Sequence, residues 1–559
     1  LQGFTVSQAY TYYKNGLKQS YTGPDGVTQG YLYDQTNQLA GVQIPGAGMF
    51  TVNEFTWNRP SRASVPGGTV KTHTYDPLMR LEAMEVKDPA GNTRLERSYG
   101  FDRVGNVKEK NTEHGDYAYT YDDLYRLTEA LNPRPVKEEA FEYDAVGNRK
   151  RSNATDGEWR YDTNNALTGF DDVSYEYDAN GNMVRKLAAG LVTSYVYNLE
   201  DRLSEVWAGE PGTGRQIASY GYDPFGRRLW KEVAGKKTWF VYSDEGLVAE
   251  LDGSGREIRS FGWKPQGIWG TDPLYLKEAG HYYWYHNDHL GTPQMLTASS
   301  GAVIWEAKYE SFGRAMVDGG ARVKNPLRFP GQYEDEETGL HYNWMRYYDP
   351  ASGRYLRVDP IGLEGGINVY VYALNSPLNL IDPDGEIAFV PVLALVMRGA
   401  SIALTAYDLY QTATIVMDPC SSAGDIGMAV AGLGIPGGGG AKKLGRASKN
   451  SGSTLDLLKN AERTNSGALK VDGGTLQQIG KAEAKGGKAF SGLQEQVVQS
   501  KPATWQGKAT GGQQTVIKYV DPSTGQTKFT VHSVTDGSGR VVHRDFDSVL
   551  IESGQQVVK

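Results

Sequence analysis

The chain has a single cysteine, Cys420, in 559 residues. That excludes an intrachain disulfide framework and a cysteine-rich metal site. Histidine is also scarce: there are eight, and His532 and His543 sit near the C-terminus. No phosphate-cradling Gly-x4-Gly-Lys-Ser/Thr loop occurs; Gly511-Gly512 is only a turn. No twelve-residue loop closing on Glu offers an EF-hand calcium site. No Gly-X-Y period suggests collagen. No charged-then-apolar leader opens the chain at Leu1, so no signal peptide is expected, and a start without Met suggests a piece of something longer. Residues 387–397 are all hydrophobic apart from Pro391, and Arg398 then interrupts them. That run is short for a membrane span, although 387–410 reaches the needed length if Arg398 is tolerated.

What is abundant is glycine (69) and tyrosine (36), against only 15 Phe. Gly with Tyr and Asp points to many short strands and tight turns. The length argues against one compact core. Charge is uneven. Residues 440–559 carry 17 Lys and Arg against 10 Asp and Glu, a net +7, which leaves −15 of the total −8 for residues 1–439. An acidic body and a basic tail imply two jobs.

One unit recurs through the first 330 residues: Tyr-Asp, a few residues, Gly or Asn, then Arg-Leu or a similar pair. It reads YDPLMRLE at 75–82, YDDLYRLT at 121–128, YDAVGNRK at 143–150, YDANGNMV at 177–184 and YDPFGRRL at 222–229. From Tyr121 to Tyr242 the lead tyrosines are spaced 22, 18, 16, 20, 25 and 20 apart. A period of that size means a repeat architecture. Asp starts a turn by bonding its own backbone, Gly or Asn supplies the positive φ, and the chain returns as the second strand of a hairpin. Single hairpins are marginal, so they must share a continuous sheet. Tyrosine suits such a sheet, burying its ring while its hydroxyl stays bonded. These Tyr-Asp pairs are turns with a packing aromatic, not catalytic or metal-binding groups.

The units resemble YD repeats of the Rhs family, which includes insecticidal toxin complex C components and the teneurins. WYHNDHLGTPQMLTASSGAVIWEAKYESFGRA at 284–315 is similar to a signature stretch of bacterial Rhs proteins, and NPLRFPGQYEDEETGLHYNWMRYYDP at 325–350 continues it. The resemblance covers roughly 20–385. It implies a mainly β fold, an antiparallel YD-repeat sheet spiralled into a hollow cocoon over 1–338, with a toxic C-terminal segment sealed inside.

Residues 339–385 are expected to cap the shell. By residues alone they are aromatic and β-rich, with three Asp-Pro pairs at 349, 359 and 382. An isolated Asp-Pro is ordinarily a turn, and Asp349 is read so. Two carboxylates held together share a proton, so one can draw a proton from water while the other protonates the scissile group. A nearby Arg can orient a carboxylate or stabilise an oxyanion. The stretch supplies Arg346, Asp359 and Asp382. In Rhs-family proteins an equivalent Arg and two Asp carry aspartyl autoproteolysis just after a PxxxxDPxGL motif. Here the motif runs from Pro377 through Asp382-Pro383-Asp384-Gly385, with Glu386 where the family has Leu. The resemblance implies a cut near Glu386; the alternative is a cap that folds alike and does not cut.

Beyond the cap, 386–450 reads as an apolar pre-toxin and linker segment. It either packs as a helix or contacts a membrane through 387–432, with a Gly-rich hinge at 434–440. Residues 451–559 read as a small α+β toxin domain. Helices are expected at 453–458, 475–483 and 493–498, and strands at 515–520, 528–534, 540–546 and 549–551. His532 and His543 fall on neighbouring strands, with Lys518 and Arg540 in the same sheet. A metal-independent RNase needs two acid–base groups and a cation on the phosphate, and the basic charge suits a polyanion. Arg540 and His543 share a face only across a bulge. A zinc nuclease using His532, His543, Asp545 and Asp547 lacks the usual His-rich spacing, so no metal and no cofactor is expected. An ADP-ribosyltransferase order of Arg, Ser and Glu cannot be assigned.

The sequence therefore reads as the core and tail of an antibacterial effector, secreted without a signal peptide through a type VI system into target bacteria. Resemblance adds three partners: a cognate immunity protein, a secretion-system spike protein and a chaperone, the last two through a preceding N-terminal region. The target is nucleic acid, RNA first. A pore-forming or membrane-disrupting toxin and a non-toxic extracellular interaction scaffold are the alternatives.

Overall fold

The computed structural model describes residues 4–389 and, beyond them, 462–463, 469–470, 476, 493–502, 513–522, 524–535, 541–550 and 556–558. The chain divides into two units, Leu1–Cys420 and Ser421–Lys559.

In the first unit the strands of each sheet pair in sequence order. Fourteen strands from Ala9–Tyr12 to Arg149–Ser152 form one antiparallel sheet, and sixteen from Arg160–Tyr161 to Ala315–Val317 form a second. A third sheet has four strands, Tyr333–Asp335, Leu340–Asn343, Arg346–Asp349 and Arg354–Tyr355. This is the expected mainly β, YD-repeat architecture.

The repeat chemistry explains the meander. Asp144 Oδ1 accepts from the Val146 and Asn148 N–H groups at 3.0 and 2.8 Å, closing the turn from inside. Asp122 does the same for Leu124 and Arg126, both at 3.0 Å. The third residue after Asp takes the left-handed conformation: Gly147 at φ 86°, as expected, but Met79 at 62° and Tyr125 at 61°. The Asp-centred turn is thus strong enough to hold a bulky residue where glycine is the easy choice.

Two further kinds of bond join neighbouring repeats. The lead tyrosine donates to a carbonyl of the preceding repeat: Tyr121 to Val107 at 2.8 Å, Tyr161 to Arg149 at 2.9 Å, Tyr242 to Arg228 at 2.9 Å. In all three the acceptor is the fifth residue after the preceding turn's Asp or its equivalent. The Arg four after Asp reaches forward instead. Arg126 donates to the Asp144 carbonyl at 2.6 Å and lies 4.9 Å from the Tyr143 ring centre. The bonded hydroxyl is not universal, because Tyr33 and Tyr197 bury theirs without a protein partner.

The third sheet is buried along all four strands. It leans on the second sheet through Arg228, whose guanidinium pairs with Asp335 and faces the rings of Tyr333 and Tyr342. Arg354 adds a second bond to the second sheet, donating to the Asn165 carbonyl at 2.6 Å, and reaches the first sheet at Asn148 Oδ1, 3.4 Å away; beyond the third sheet, Asn375 donates to the Gly147 carbonyl at 2.9 Å. Residues 356–389 are mostly irregular and pack between these anchors.

In the second unit the described strands form one sheet, ordered Glu462–Arg463, Leu469–Lys470, Gln556–Val558, Val541–Leu550, Thr527–Thr535, Gln513–Val520, Gln494–Pro502, with only the second and third parallel. Two expectations are corrected. The helix expected at 493–498 is the strand Gln494–Pro502. Its Val497 and Val498 are exposed, so no apolar stripe would hold a helix, whereas pairing with Gln513–Val520 runs from Gln494 to Pro502 along one side of it. The strands expected at 540–546 and 549–551 run together as Val541–Leu550, with a bulge absorbing the break. The strands expected at 515–520 and 528–534 are present. Of the helix expected at 475–483 only Leu476 is described, and it is helical. The helix expected at 453–458 lies outside the described residues, as do the hinge at 434–440 and all but the first three residues of 387–432. Among the described residues no helix is long and apolar enough to cross a membrane.

Candidate active site

Three different pieces of backbone bring Arg346, Asp359 and Asp382 together. Arg346 opens a strand directly after the Trp344-Met345 turn, paired to Asn343. Asp359 is held by its own N–H on the Val369 carbonyl at 2.9 Å, and its Oδ1 caps the next turn at the Ile361 N–H, 3.0 Å away. Asp382 stands at the neck of a tight loop. Ile381 and Phe389 exchange backbone bonds of 3.0 and 2.9 Å across that neck, so residues 382–388 arch over Arg346. Asp349, read as a turn, is one: its Oδ1 accepts from Ala351 at 2.9 Å.

The guanidinium is the hub. Nη2 of Arg346 lies 3.0 Å from Asp359 Oδ2 and 3.1 Å from Asp382 Oδ2. Its Nε donates to the Gly385 carbonyl at 2.6 Å, and its Nη1 to that of Val369 at 3.1 Å. The three side chains are only 2, 3 and 2% exposed. One nitrogen of Arg346 thus stands within ion-pair distance of both carboxylates. Asp382 also accepts from Tyr355 Oη at 2.7 Å and, through Oδ1, from the Glu386 N–H at 3.0 Å. Asp359 lies on the other side of residue 386. A Cβ built on Gly365 would collide with Asp359 Oδ2 and stand 3.0 Å from the Glu386 carbonyl oxygen, so carboxylate and peptide carbonyl flank the same glycine. Burial pushes the Asp359 carboxyl up to about 6, against the pull of Arg346. Burial also raises Asp384, with Asp382 and Glu386 adding to it.

Sequence reasoning missed four contributors: Tyr355, Asn343, Gly365 and Asp384. Tyr355 lies under the guanidinium, 3.6 Å from ring centre to Cζ. Asn343 donates to Tyr355 Oη and to the Asp382 carbonyl, both at 2.8 Å. Asp384 was inside the Asp-Pro-Asp-Gly run and carried a signal; the others lie at unremarkable positions.

In the second unit Lys518 is exposed and pairs in register with Thr530, and the half-buried His532 pairs with Val516 and Asp545. The Cα of His543 is opposite Val534, two residues along from His532. A bulge falls at Val542, since the partner of Thr535 is Val541, not Val542; a bulge is the condition for Arg540 and His543 to share a face. Arg540 lies outside the described residues. One group with metal-ligand atoms occurs among the described residues, Glu113, His114 and Glu306. Arg97 pairs with Glu113, and His114 Nε2 stands 3.0 and 2.8 Å from the two glutamates, an arrangement that reads as an ion-pair network.

A family model described as Teneurin YD-shell matches residues 51–364. Double-stranded DNA deaminase toxin A of Burkholderia cenocepacia (strain H111) is 34% identical over 351 residues, 56% of this chain and 24% of its own length. Probable deoxyribonuclease RhsA of Dickeya dadantii (strain 3937) is 29% identical over 383 residues, 66% of this chain and 26% of its own. The chain thus spans about a quarter of each relative's length. The crystal structure of TcdB2-TccC3-Cdc42 superposes with a TM-score of 0.56 at 21% identity, covering 68% of this chain and 21% of that one, which is a likeness of fold.

Proposed function

Since the chain belongs to the Teneurin YD-shell family, we propose that it is the shell and cargo of a toxin effector whose cap cuts itself beside Glu386 and frees residues 387–559. The observation that carries this is the single Arg346 nitrogen set between Asp359 and Asp382, with the same guanidinium bonded to the Gly385 carbonyl. In this reading Asp359, ionised above its raised value, draws a proton from the water that attacks the Glu386 carbonyl carbon. Arg346 and Asp382 hold residues 385 and 386 in place, and Arg346 carries a fixed positive charge into a buried site.

The freed tail is proposed to act on nucleic acid as a metal-independent RNase, with Lys518 and Arg540 on the phosphate and His532 and His543 as acid and base. Support comes from the register that places Lys518, His532 and His543 on adjoining strands. The deaminase and deoxyribonuclease named above agree only in attacking nucleic acid. Type VI delivery into a target bacterium, with spike protein, chaperone and an immunity protein that neutralises the basic tail, belongs to the same proposal. Intact-mass measurement of purified protein tests the first half: two species meeting beside Glu386 are expected from the wild type, and one from Asp359→Asn or Asp382→Asn. A single uncut wild-type species refutes it. Inducible cytosolic expression of 386–559 with RNA and DNA gels tests the second half. Loss of RNA that persists in both His532→Ala and His543→Ala removes the site assignment.

A further inference from the structure

We infer that the cavity lined by Tyr197, Arg202, Arg346 and Arg357 is a carboxylate site, and that it takes the chain end that cutting leaves on Glu386. The shell then keeps its new terminus in the cap after the bond is broken. The inference rests on the self-cleavage reading and deepens it by giving one product a place. Hydrolysis adds water across the bond from the Glu386 carbonyl carbon to Ile387 N: oxygen goes to the carbon and a proton to the nitrogen. The products are an Ile387 amine and a Glu386 end with two carboxylates, its side chain and its new α-carboxylate.

Hydrogen bonds set the cavity beside that end. Met345 and Arg346 belong to its wall. The Met345 N–H donates to the Asp384 carbonyl at 3.0 Å, and Arg346 Nε to that of Gly385 at 2.6 Å. Residue 386 is the next one along a backbone already bonded to the wall. Arg202 stands against Met345, with Nη2 3.4 Å from its Sδ and Nη1 on the Gly226 carbonyl at 2.7 Å. Arg357 joins it by donating to the carbonyl of the adjacent residue, Asp201. In the uncut chain Glu386 is tied on both sides. Its N–H is on Asp382 Oδ1 at 3.0 Å, and the chain beyond it returns to the Ile381–Phe389 bridge. Breaking the bond after Glu386 releases the second tie, and the residue can then turn into the cavity.

The cavity has charge and donors to spare. Arg346 is matched by Asp359 and Asp382. Arg202 has only the exposed Glu200, 3.7 Å away, and its buried Nε has no hydrogen-bond partner. Arg357 bonds neutral acceptors, the Asp201 and Val358 carbonyls, and makes no ion pair with a described residue. Tyr197 buries its hydroxyl without a protein partner. The wall's one acid, Asp201, turns its carboxylate to the Asn180 and Asn182 amides at 2.9 and 2.8 Å. Buried donors and charges of this kind are costly until an acceptor meets them. Burial holds the Arg357 guanidinium below its usual value, and Arg202 and Arg346 add to that against Asp201. Burial raises the Glu386 carboxyl, with Arg346, Arg202 and Arg357 pulling against it. Two unmatched guanidiniums and a phenol suit an end with two carboxylates. A leucine at 386 would bring only one.

The test labels carboxyl groups of folded protein with a water-soluble carbodiimide and methylamine, and reads Glu386 by mass spectrometry of the tryptic chain end. Glu364, exposed on the same peptide, is the reference. Cut wild-type protein is expected to label Glu386 at least about tenfold more slowly than Glu364. The uncut Asp359→Asn chain has no α-carboxylate at 386 and is expected to label its Glu386 side chain faster than cut wild type does, so that cutting hides the residue. Arg202→Gln with Arg357→Gln is expected to cut as wild type does and to label Glu386 at least about tenfold faster. Arg202→Lys with Arg357→Lys keeps the charge and is expected to recover part of the protection. Glu386 of cut wild type labelled as fast as Glu364, or faster than in uncut Asp359→Asn, overturns the inference with no arginine variant needed. So does equally slow labelling in wild type and the Gln pair, which marks burial alone. Loss of cutting in a folded Gln pair also overturns it, because the arginines would then serve the reaction and not its product. A wild-type chain that is never cut refutes the self-cleavage reading itself.

Discussion

Asp359 should be a group that the protein would be more stable without. Its carboxyl rises from 3.8 to about 6 because burial outweighs the attraction of Arg346. Two units at about 1.4 kcal/mol each make a penalty of about 3 kcal/mol on the ionised form. A raised acid binds more protons folded than unfolded between those two values. The stability it contributes is whole below pH 4 and is lost as pH climbs through about 6. Wild type is a poor reference, because the proposed cut would change the molecule, so the comparison is between two variants in which that cut is blocked, Asp359→Asn and Asp382→Asn. The second keeps Asp359, and Asp382 is a minor cause of its shift. Urea midpoints read by tryptophan fluorescence at pH 4 and pH 8 should show Asp359→Asn gaining about 2–3 kcal/mol on Asp382→Asn as the pH rises. A gap that does not move with pH would falsify the argument. Arg346 would then compensate Asp359 fully, and the charged base would carry no strain from burial.

The other predictions use the same site and the shell. Arg346→Lys keeps the charge but cannot span two carboxylates and two carbonyls at once, so cutting should slow at least about 100-fold by intact mass while the fold survives. Gly365→Ala places a methyl group between Asp359 and the Glu386 carbonyl without touching any charge; a loss of at least about 100-fold is expected, and a rate within threefold of wild type would show that the two groups do not meet. Tyr121→Phe removes the hydroxyl from the Val107 carbonyl and should cost about 1 kcal/mol in urea unfolding, with cutting unchanged.

Much of the first unit could be read from its letters because each repeat carries its whole instruction locally. Asp binds the turn's own amides, so turn position follows from the residue, and even the odd cases of Met79 and Tyr125 obey it. The split into two large sheets could not be read. Residues 153–159 interrupt the pairing between Arg149–Ser152 and Arg160–Tyr161, yet the lead tyrosines at 143 and 161 keep their spacing across the gap. Periodicity records turns, and a strand that fails to pair leaves the turns where they were. In the tail the sequence erred at 493–498, where two β-branched residues and an available neighbouring edge prevailed over a weak helical pattern.

The cap shows the same division at the scale of a few atoms. Resemblance named Arg346, Asp359 and Asp382, and the fold brings all three side chains together, one nitrogen of Arg346 reaching both carboxylates. Paired acids were expected to divide one proton, as two carboxylates in contact must. The guanidinium offsets part of that repulsion: burial raises Asp359 against its pull, and Asp382 still adds to the rise. Glu386 in the family's Leu position belongs to the same argument. Its carboxylate is one of the charges that raise Asp359, after burial, so Glu386→Leu should move the acid limit of cutting, where Asp359 takes up its proton, to lower pH. A Glu386→Leu chain that cuts faster than wild type at pH 8 would show that the glutamate is only a hindrance.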